Sequence, residues 1–568
     1  MTPFKEIVKK SLVEHLQLDS SVLEELLEKP QNPEHGHLSL PCFIWAKTLK
    51  KAPNLVAQEF CQKLEQVTLD EQIQSVTAIG PYLNFKQNQI LLAQDLLKTI
   101  LKKGTGFAKK TLSNSPSVVL EFSSPNIAKP LSIGHLRTTN IGACLSRVFK
   151  HQGWSVIRIN HLGDWGTQFG KVMLAFRLWG NAQDLEKHPI DTLYKLYVKF
   201  HEEEKNDPSL ADQAREWFTK LERSDETAKE LWQWFKDISL KELNTIYHEL
   251  GVEFDHVWGE SFYVDMLDDL IADLKQKKLL KDSQDAKIVD LKEYNLGVSV
   301  IQKKDESSLY MTRDLAAAQY RYQQFNFDQM LYVVGNPQKL HFQQLFKILE
   351  LLGCDFVDKC HHIAYGHVDF GHEKMSTRKG NIVLLKDVLQ QAKERALKVI
   401  EEKNSTLENK QDVANAVGVG AVLFADLNAK LARDVKFTWD EILNFEGETG
   451  PYLQYGLVRA KSVLEKYNGR WTDQIDINSI ETTEEQSLLQ SLNDYPQILD
   501  KTLHEKEPFY LAQYALELVK QFNRFYTKCR VLDAPKEQKY FRLCLVKSTT
   551  IVLEASLKLL GLPIVEKM

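Results

Sequence analysis

An α/β protein built on a parallel sheet, with a small α/β or α+β domain before it and an all-helical region after it, is the architecture this chain predicts. Three observations carry that expectation. At 568 residues the chain is well beyond the size at which one hydrophobic core keeps growing, so two to four domains are expected. Between residues 117 and 160 a strand pattern, a turn rich in glycine and proline, an amphipathic helix and a second strand pattern follow one another, as a βαβ unit requires. Beyond about residue 405 apolar residues recur at three- and four-residue spacing almost to the end, which is helical periodicity.

The elements fall in a definite order. Residues 1–105 form a first domain: helices, including "HGHLSLPCFIWAKTLKKAPNLVAQEFCQKL" as one amphipathic helical stretch, then "SVTAIGPYLNF" as a short strand pattern. The Lys-, Gly- and Ser-rich "KKGTGFAKKTLSNSPS" suits an exposed connector, so a boundary belongs there. Residues 106–405 form the second domain, opening with strand "SVVLEF", a helix from near Ile133 to about Phe149, and strand "WSVIRIN". Highly charged helical periods over about 175–250 read as an insertion with a solvated face. Alternation then resumes with "VSVIQKK", "DLAAAQYRYQQF", "QMLYVVG", "KLHFQQLFKILELLG" and "HHIAYGHV". Residues 406–568 complete the chain as helices, with no internal repeat and no low-complexity tract.

Composition limits the function classes. No uninterrupted apolar run approaches the roughly 20 residues of a membrane span. The opening "MTPFKEIVKKSLVEHLQLD" has neither a secretory apolar core nor an Arg/Ser-rich, acid-poor makeup, so a cytoplasmic location is expected. With 72 Lys+Arg against 77 Asp+Glu the net charge is -5, and any contact with phosphates must be made by a local face or groove. Seven scattered cysteines argue for free thiols. In "CDFVDKCHH", Cys354, Cys360, His361 and His362 suggest either a metal or a loop-and-strand thiol pair; the spacing matches no common zinc pattern, and no protein-bound metal is expected.

The turn "SSPNIAKPLSIGHLR" carries the first chemistry. A glycine-containing turn that opens a helix at the end of a parallel strand presents backbone N–H groups and the positive helix end to an anion. Gly134 allows a flat ligand close to the backbone, and His135 can donate to a phosphate oxygen, although a "GH" at a helix start also serves as a cap. A second segment, "FGHEKMSTRKGN", puts Lys374, Arg378 and Lys379 on a Gly-flanked loop able to close on a triphosphate; the bland alternative is a solvated basic turn.

Together "SIGH" and "KMSTR" resemble the "HIGH" and "KMSKS" pair of class I aminoacyl-tRNA synthetases. With "EFSSPNIAKP", "GHLR", "INHLGDWGTQFG", "GESFY", "LYMTRDLAAA", "FTWDEILNFEGETGPYLQY" and the terminal "LLGLP", the chain is similar to the arginyl-tRNA synthetase family over nearly its whole length. The resemblance implies a Rossmann-type catalytic domain with helical insertions, an N-terminal tRNA-contacting domain and a C-terminal all-α anticodon-binding bundle. It implies ATP with Mg²⁺, L-arginine and tRNA(Arg) as substrates, no membrane partner, and a monomer.

Residue by residue, the resemblance assigns catalysis to His135, Lys129, Ser132 and Lys374, and ATP binding to Ile133, Gly134, His135, Met375, Ser376, Arg378 and Lys379. It assigns arginine binding to Glu121, Ser123, Ser124, Asn126, Tyr310, Asp314 and Gln338. Paired carboxylates suit a planar five-donor guanidinium, though Asp314 also reads as an N-cap of "LAAAQYRY". The resemblance gives Asn84 and Phe85 to tRNA contact, and aromatic and basic interleaving adds Tyr452, Tyr455, Asn523 and Tyr526 as candidate base contacts.

Two positions depart from the family pattern. Ser132 stands where the first motif begins with histidine, and Thr377 stands where the second has a lysine. Lys129 occupies the place of a substitute lysine found in some members, or else is an exposed loop lysine. The two departures also admit a tRNA-binding relative that lost synthesis, whereas the intact match of the amino-acid pocket favours the enzyme. A class I synthetase for another amino acid is the third reading, and the paired acids argue against it.

Overall fold

The computed structural model describes residues 4–283, 286–303, 310–369, 383–472, 475, 477 and 480–568. The chain divides into two compact units, one of Met1–Phe107, Ala460–Asp494 and Lys520–Val552, the other of Ala108–Arg459, Tyr495–Val519 and Leu553–Met568. Among the described residues no helix is long and apolar enough to cross a membrane.

In the first unit an antiparallel sheet of β1 (Leu38–Pro41), β2 (Ile73–Ile79) and β3 (Tyr82–Gln87) runs in the order β1-β3-β2. The helix Pro53–Glu65 lies against it, burying Val56, Ala57, Phe60, Cys61 and Leu64 at helical spacing. Strand β1 corrects the sequence reading, which ran a helical stretch through "HGHLSLP". Leu38 and Leu40 are set two apart, and Pro41 is excluded from a helix interior, so the segment pairs with β3 instead. The helical part of that stretch begins at Phe43.

The second unit is built on β4 (Ser117–Glu121), β5 (Ser155–Asn160), β6 (His256–Val257), an antiparallel set of β7 (Leu280–Ser283), β8 (Ala286–Asp290) and β9 (Val298–Lys303), then β10 (Gln329–Gly335) and β11 (Cys360–Tyr365). Among the described residues β11-β10-β4-β5-β6 form one parallel sheet. Its strands are nearly continuous apolar runs such as Val118, Val119 and Leu120, as burial on both faces demands. The chain builds outward from β4 through β5 to β6, then returns to β10 and β11 on the other side. The strand order therefore reverses between β4 and β10, and the carboxyl ends of those two strands bound the crevice where such sheets take ligands.

"VSVIQKK" is a strand, as its pattern indicates, but it belongs to the antiparallel set and not to the parallel sheet. Val298 and Val300 face solvent while Ser299 and Ile301 are buried, the one-sided alternation of an antiparallel strand. The charged insertion forms helices Ala182–Lys187, Pro189–Asn206, Ser209–Glu222 and Glu226–Glu249. "HHIAYGHV" splits into β11 and a two-residue strand, Val368–Asp369, which pairs with Val435–Lys436. Later helices include Leu385–Lys403 and Lys410–Leu427.

Candidate active site

The turn after β4 holds three non-glycine residues in left-handed backbone: Ser123, Ser124 and Ala128, at φ 69°, 47° and 63°. Such conformations persist where surrounding contacts determine them. Ser123 is buried; its N–H donates to Thr138 Oγ1 at 3.0 Å, and its hydroxyl sits 2.8 Å from the Tyr247 hydroxyl. Thr138 in turn donates to the Val333 carbonyl of β10 at 2.7 Å. The Ser124 N–H donates to Asn160 Oδ1 at the end of β5, and Asn126 bridges to Gly163. Ser123 thus braces the crevice, while Ser124 and Asn126 stay half-buried at its edge.

The helix Gly134–His151 starts at the switch point and packs on β4, β5 and β10. It passes so close to the turn that a Cβ on Gly142 would lie 2.2 Å from Phe122 Cγ, whereas one on Gly134 would meet Ser132 Oγ at an ordinary 3.4 Å. Arg137 fixes the helix from behind: Nε donates to Asp426 Oδ1 at 2.8 Å, and another nitrogen donates to the carbonyls of Gly366 and Arg433. Both members of that ion pair are buried, so removing one partner costs about 3–5 kcal/mol.

His135 Nδ1 lies 3.1 Å from the Ser132 backbone N and 2.9 Å from its Oγ. A backbone N–H can only donate, so Nδ1 accepts and the ring proton sits on Nε2. Burial pushes the imidazole down to about 4, the Ser132 backbone hydrogen bond opposing and the Lys129 charge assisting. His135 is therefore a neutral N–H donor at pH 7. Lys129 Nζ lies 4.7 Å from the centroid of the Tyr197 ring, so the half-buried lysine is not the exposed loop lysine of the bland reading. The motif backbone is tied to the segment past the second signature: Ile133 N–H donates to the Val383 carbonyl at 3.0 Å, and Leu385 N–H to that of Leu131 at 2.8 Å. Lys374, Met375, Ser376, Thr377, Arg378 and Lys379 lie outside the described residues.

The two acids are placed differently. Asp314 lies within the helix Tyr310–Phe325 and is not its N-cap. Its Oδ2 accepts from His341 Nε2 at 2.7 Å, while Oδ1 stands 3.6 Å from His161 Nε2, beyond hydrogen-bond range. Burial acts to raise this carboxyl, but the His341 hydrogen bond and the charges of His341, His161 and Arg321 outweigh it and hold it below its usual range. The side chain remains 24% exposed. Glu121, by contrast, is buried and accepts from Arg321, which also donates to the Tyr263 hydroxyl at 3.2 Å. Glu121 therefore reaches the crevice already paired with the protein's own guanidinium. Tyr310 is exposed at the start of its helix, and Gln338 is exposed in the turn after β10.

Sequence reasoning missed several members of this network: Arg321, His161, His341, Tyr263, Tyr197 and the buried pair Glu260–Arg313. Burial, with the Asp314 and Asp164 charges added, raises Glu260 to about 8 despite Arg313. Among the candidate RNA contacts, Asn84 and Phe85 are only 1% and 0% exposed, packed within β3, and their side chains offer no surface to a ligand. Tyr455 and Tyr526 are 39% and 43% exposed, while Tyr452 and Asn523 are half-buried. Among the described residues no group of three His, Cys, Asp or Glu side chains is placed to hold a metal.

The family model for class I tRNA synthetases (R), catalytic domain, matches residues 96–439, and the fold is that of class I aminoacyl-tRNA synthetases. Models for an arginyl-tRNA synthetase N-terminal domain and a DALR anticodon-binding domain match residues 3–87 and 453–568. The chain is 44% identical over 567 residues to an arginine–tRNA ligase of Clostridium perfringens, and 43% over 569 residues to one of Halothermothrix orenii, each covered in full. It superposes on an arginyl-tRNA synthetase of Thermus thermophilus with TM-score 0.81 and 25% identity, both chains fully covered. The chain belongs to the arginyl-tRNA synthetase family.

Proposed function

We propose that this protein activates L-arginine with ATP and esterifies it to tRNA(Arg). In the first step an arginine carboxylate oxygen attacks the α-phosphorus, forming arginyl-adenylate as the bond to pyrophosphate breaks. In the second, the 2′-oxygen of the terminal adenosine attacks the acyl carbon and AMP leaves. The observation that carries this reading is full-length identity of 44% to an arginine–tRNA ligase, joined to a partly exposed Asp314 held in its ionised form.

Within the crevice, His135 donates its Nε2–H to the triphosphate, and Gly134 and Ile133 at the helix start offer backbone dipoles to it. Lys129 supplies positive charge against that developing on departing pyrophosphate, with Lys374, Arg378 and Lys379 of the second signature assisting and Met375 and Ser376 binding ATP. Magnesium arrives with ATP as substrate. Asp314 takes the guanidinium, with Tyr310 alongside. Glu121 acts chiefly by holding Arg321, and Ser124, Asn126 and Gln338 handle the polar end of the amino acid, with Ser123 behind them. Residues 1–105 contact the tRNA body, residues 106–405 carry out the chemistry, and residues 406–568 read the anticodon, with Tyr455 and Tyr526 the better-exposed candidates. The enzyme works as a cytoplasmic monomer, which sedimentation with and without tRNA tests.

The deciding experiment is charging of total tRNA with labelled arginine at saturating ATP-Mg²⁺. ATP-dependent, acid-precipitable label is expected; its absence from folded protein that still binds tRNA would overturn the proposal.

A further inference from the structure

We propose that Tyr197, on the inserted helix Pro189–Asn206, is a positioning residue for Lys129, and that through it the helical insertion takes part in amino-acid activation. This inference rests on the assignment of Lys129 to the triphosphate. Lysine carries its charge on a flexible four-carbon stem and is poorly aimed unless something holds it. An aromatic face attracts the ammonium and leaves its net charge available to a phosphate.

The geometry suits that use. Lys129 Nζ stands 4.7 Å from the centroid of the Tyr197 ring, and the tyrosine is 8% exposed, its ring meeting His201 edge-on at 4.6 Å. The helix beneath it is well anchored: Leu193, Leu196 and Phe200 are buried, and Glu204 accepts from Lys171 at 2.9 Å. A second contact on the same helix joins it to the segment past the second signature. Asp191 accepts from Lys386 at 3.0 and 3.1 Å. Because Leu385 and Val383 are hydrogen-bonded to Leu131 and Ile133, the contacts close a circuit from Lys129 through Tyr197, Asp191 and Lys386 back to the first motif. The lysine is thereby referenced to the same backbone that carries His135.

The test is ATP–pyrophosphate exchange with tRNA present, with kcat and the KM values for ATP and arginine measured separately. It uses Lys129→Ala, Tyr197→Leu, Tyr197→Phe and the double variant Lys129→Ala/Tyr197→Leu. Tyr197→Leu is expected to lower kcat by about 3- to 30-fold with little change in the KM for arginine. Tyr197→Phe, which keeps the ring, recovers most of that loss. In the Lys129→Ala background the Leu substitution costs less than about twofold more, because its effect runs through the lysine. Full multiplication of the two losses, or an unimpaired Tyr197→Leu, overturns the inference. If Lys129→Ala itself works at the wild-type rate, the assignment of Lys129 fails first and takes the inference with it, a result readable from that single variant. Should Tyr197→Leu not fold, pentafluorophenylalanine at position 197 keeps the ring's shape and removes its negative face; a lowered kcat supports the role, and an unchanged one refutes it.

Discussion

Asp314→Asn isolates the charge proposed to select arginine. The amide keeps an oxygen to accept from His341 at the present 2.7 Å, so the local packing survives while the negative charge is lost. A hydrogen bond to a charged group contributes about 1.5–3 kcal/mol, and leaving a guanidinium donor without its acceptor adds a cost of similar kind. A total of about 2–4 kcal/mol corresponds to roughly 30- to 1000-fold in kcat/KM for arginine. The assay is ATP–pyrophosphate exchange with tRNA present, measured over a range of arginine concentrations, with the KM for ATP as internal control and far-UV circular dichroism to verify the fold. A loss below about fivefold, under 1 kcal/mol, would refute the argument that this carboxylate carries recognition.

Two further expectations separate packing from chemistry. Gly142→Ala, whose Cβ would fall 2.2 Å from Phe122, should lower the urea midpoint by about 1–3 kcal/mol of stability, whereas Gly134→Ala, with a 3.4 Å contact, should leave the midpoint unchanged yet weaken ATP binding; equal midpoints for the two variants would contradict the packing. His135, at about 4 when folded against about 6.5 unfolded, binds fewer protons in the native state, so its stability contribution is present above pH 6.5 and is lost as pH falls from there toward 4, by at most about 3 kcal/mol. His135→Gln should flatten that part of the unfolding profile, and the wild-type exchange rate should show no acid limb centred near 6.5.

Local patterns made much of this fold legible. The run Val118–Leu120, the glycine-rich turn and the helix behind it each carry their own signal, and a βαβ unit at a sheet's first strand fixes where a ligand sits. What stayed hidden was pairing. The alternation of "VSVIQKK" announces a strand but not which sheet it joins, and β1 is too short to outweigh the helical residues after it. In the site, the pairing of Glu121 with Arg321 is hidden because the two lie 200 residues apart, and an arginine in "AAAQYRY" looks like any surface helix residue. His341 meets Asp314 only because β10 delivers the next helix beside the Asp314 helix. The motif position of Asn84 and Phe85 says nothing about which residues of a strand are covered.

Ser132 illustrates how a departure from a motif can be absorbed. Losing a preorganised donor from a site of developing charge costs about 2.7–4 kcal/mol, enough to cripple the enzyme if nothing intervened. Here the serine hydroxyl stands 2.9 Å from His135 Nδ1, alongside the backbone N–H that holds the same lone pair. With the proton on Nε2 the hydroxyl donates to Nδ1, so the side chain spends its one hydrogen on orienting the remaining imidazole and not on the phosphates. The charge missing from the second motif at Thr377 is, on the proposed assignment, left to Lys129, whose field reaches His135 and whose Nζ stands over the Tyr197 ring. Restoring histidine at 132 would return a donor but remove the hydroxyl that helps aim His135, so the gain in rate should fall short of the full value of one donor. On the proposed roles, the two tasks that the altered motifs leave open, aiming the imidazole and supplying positive charge, fall to Ser132 and Lys129 respectively.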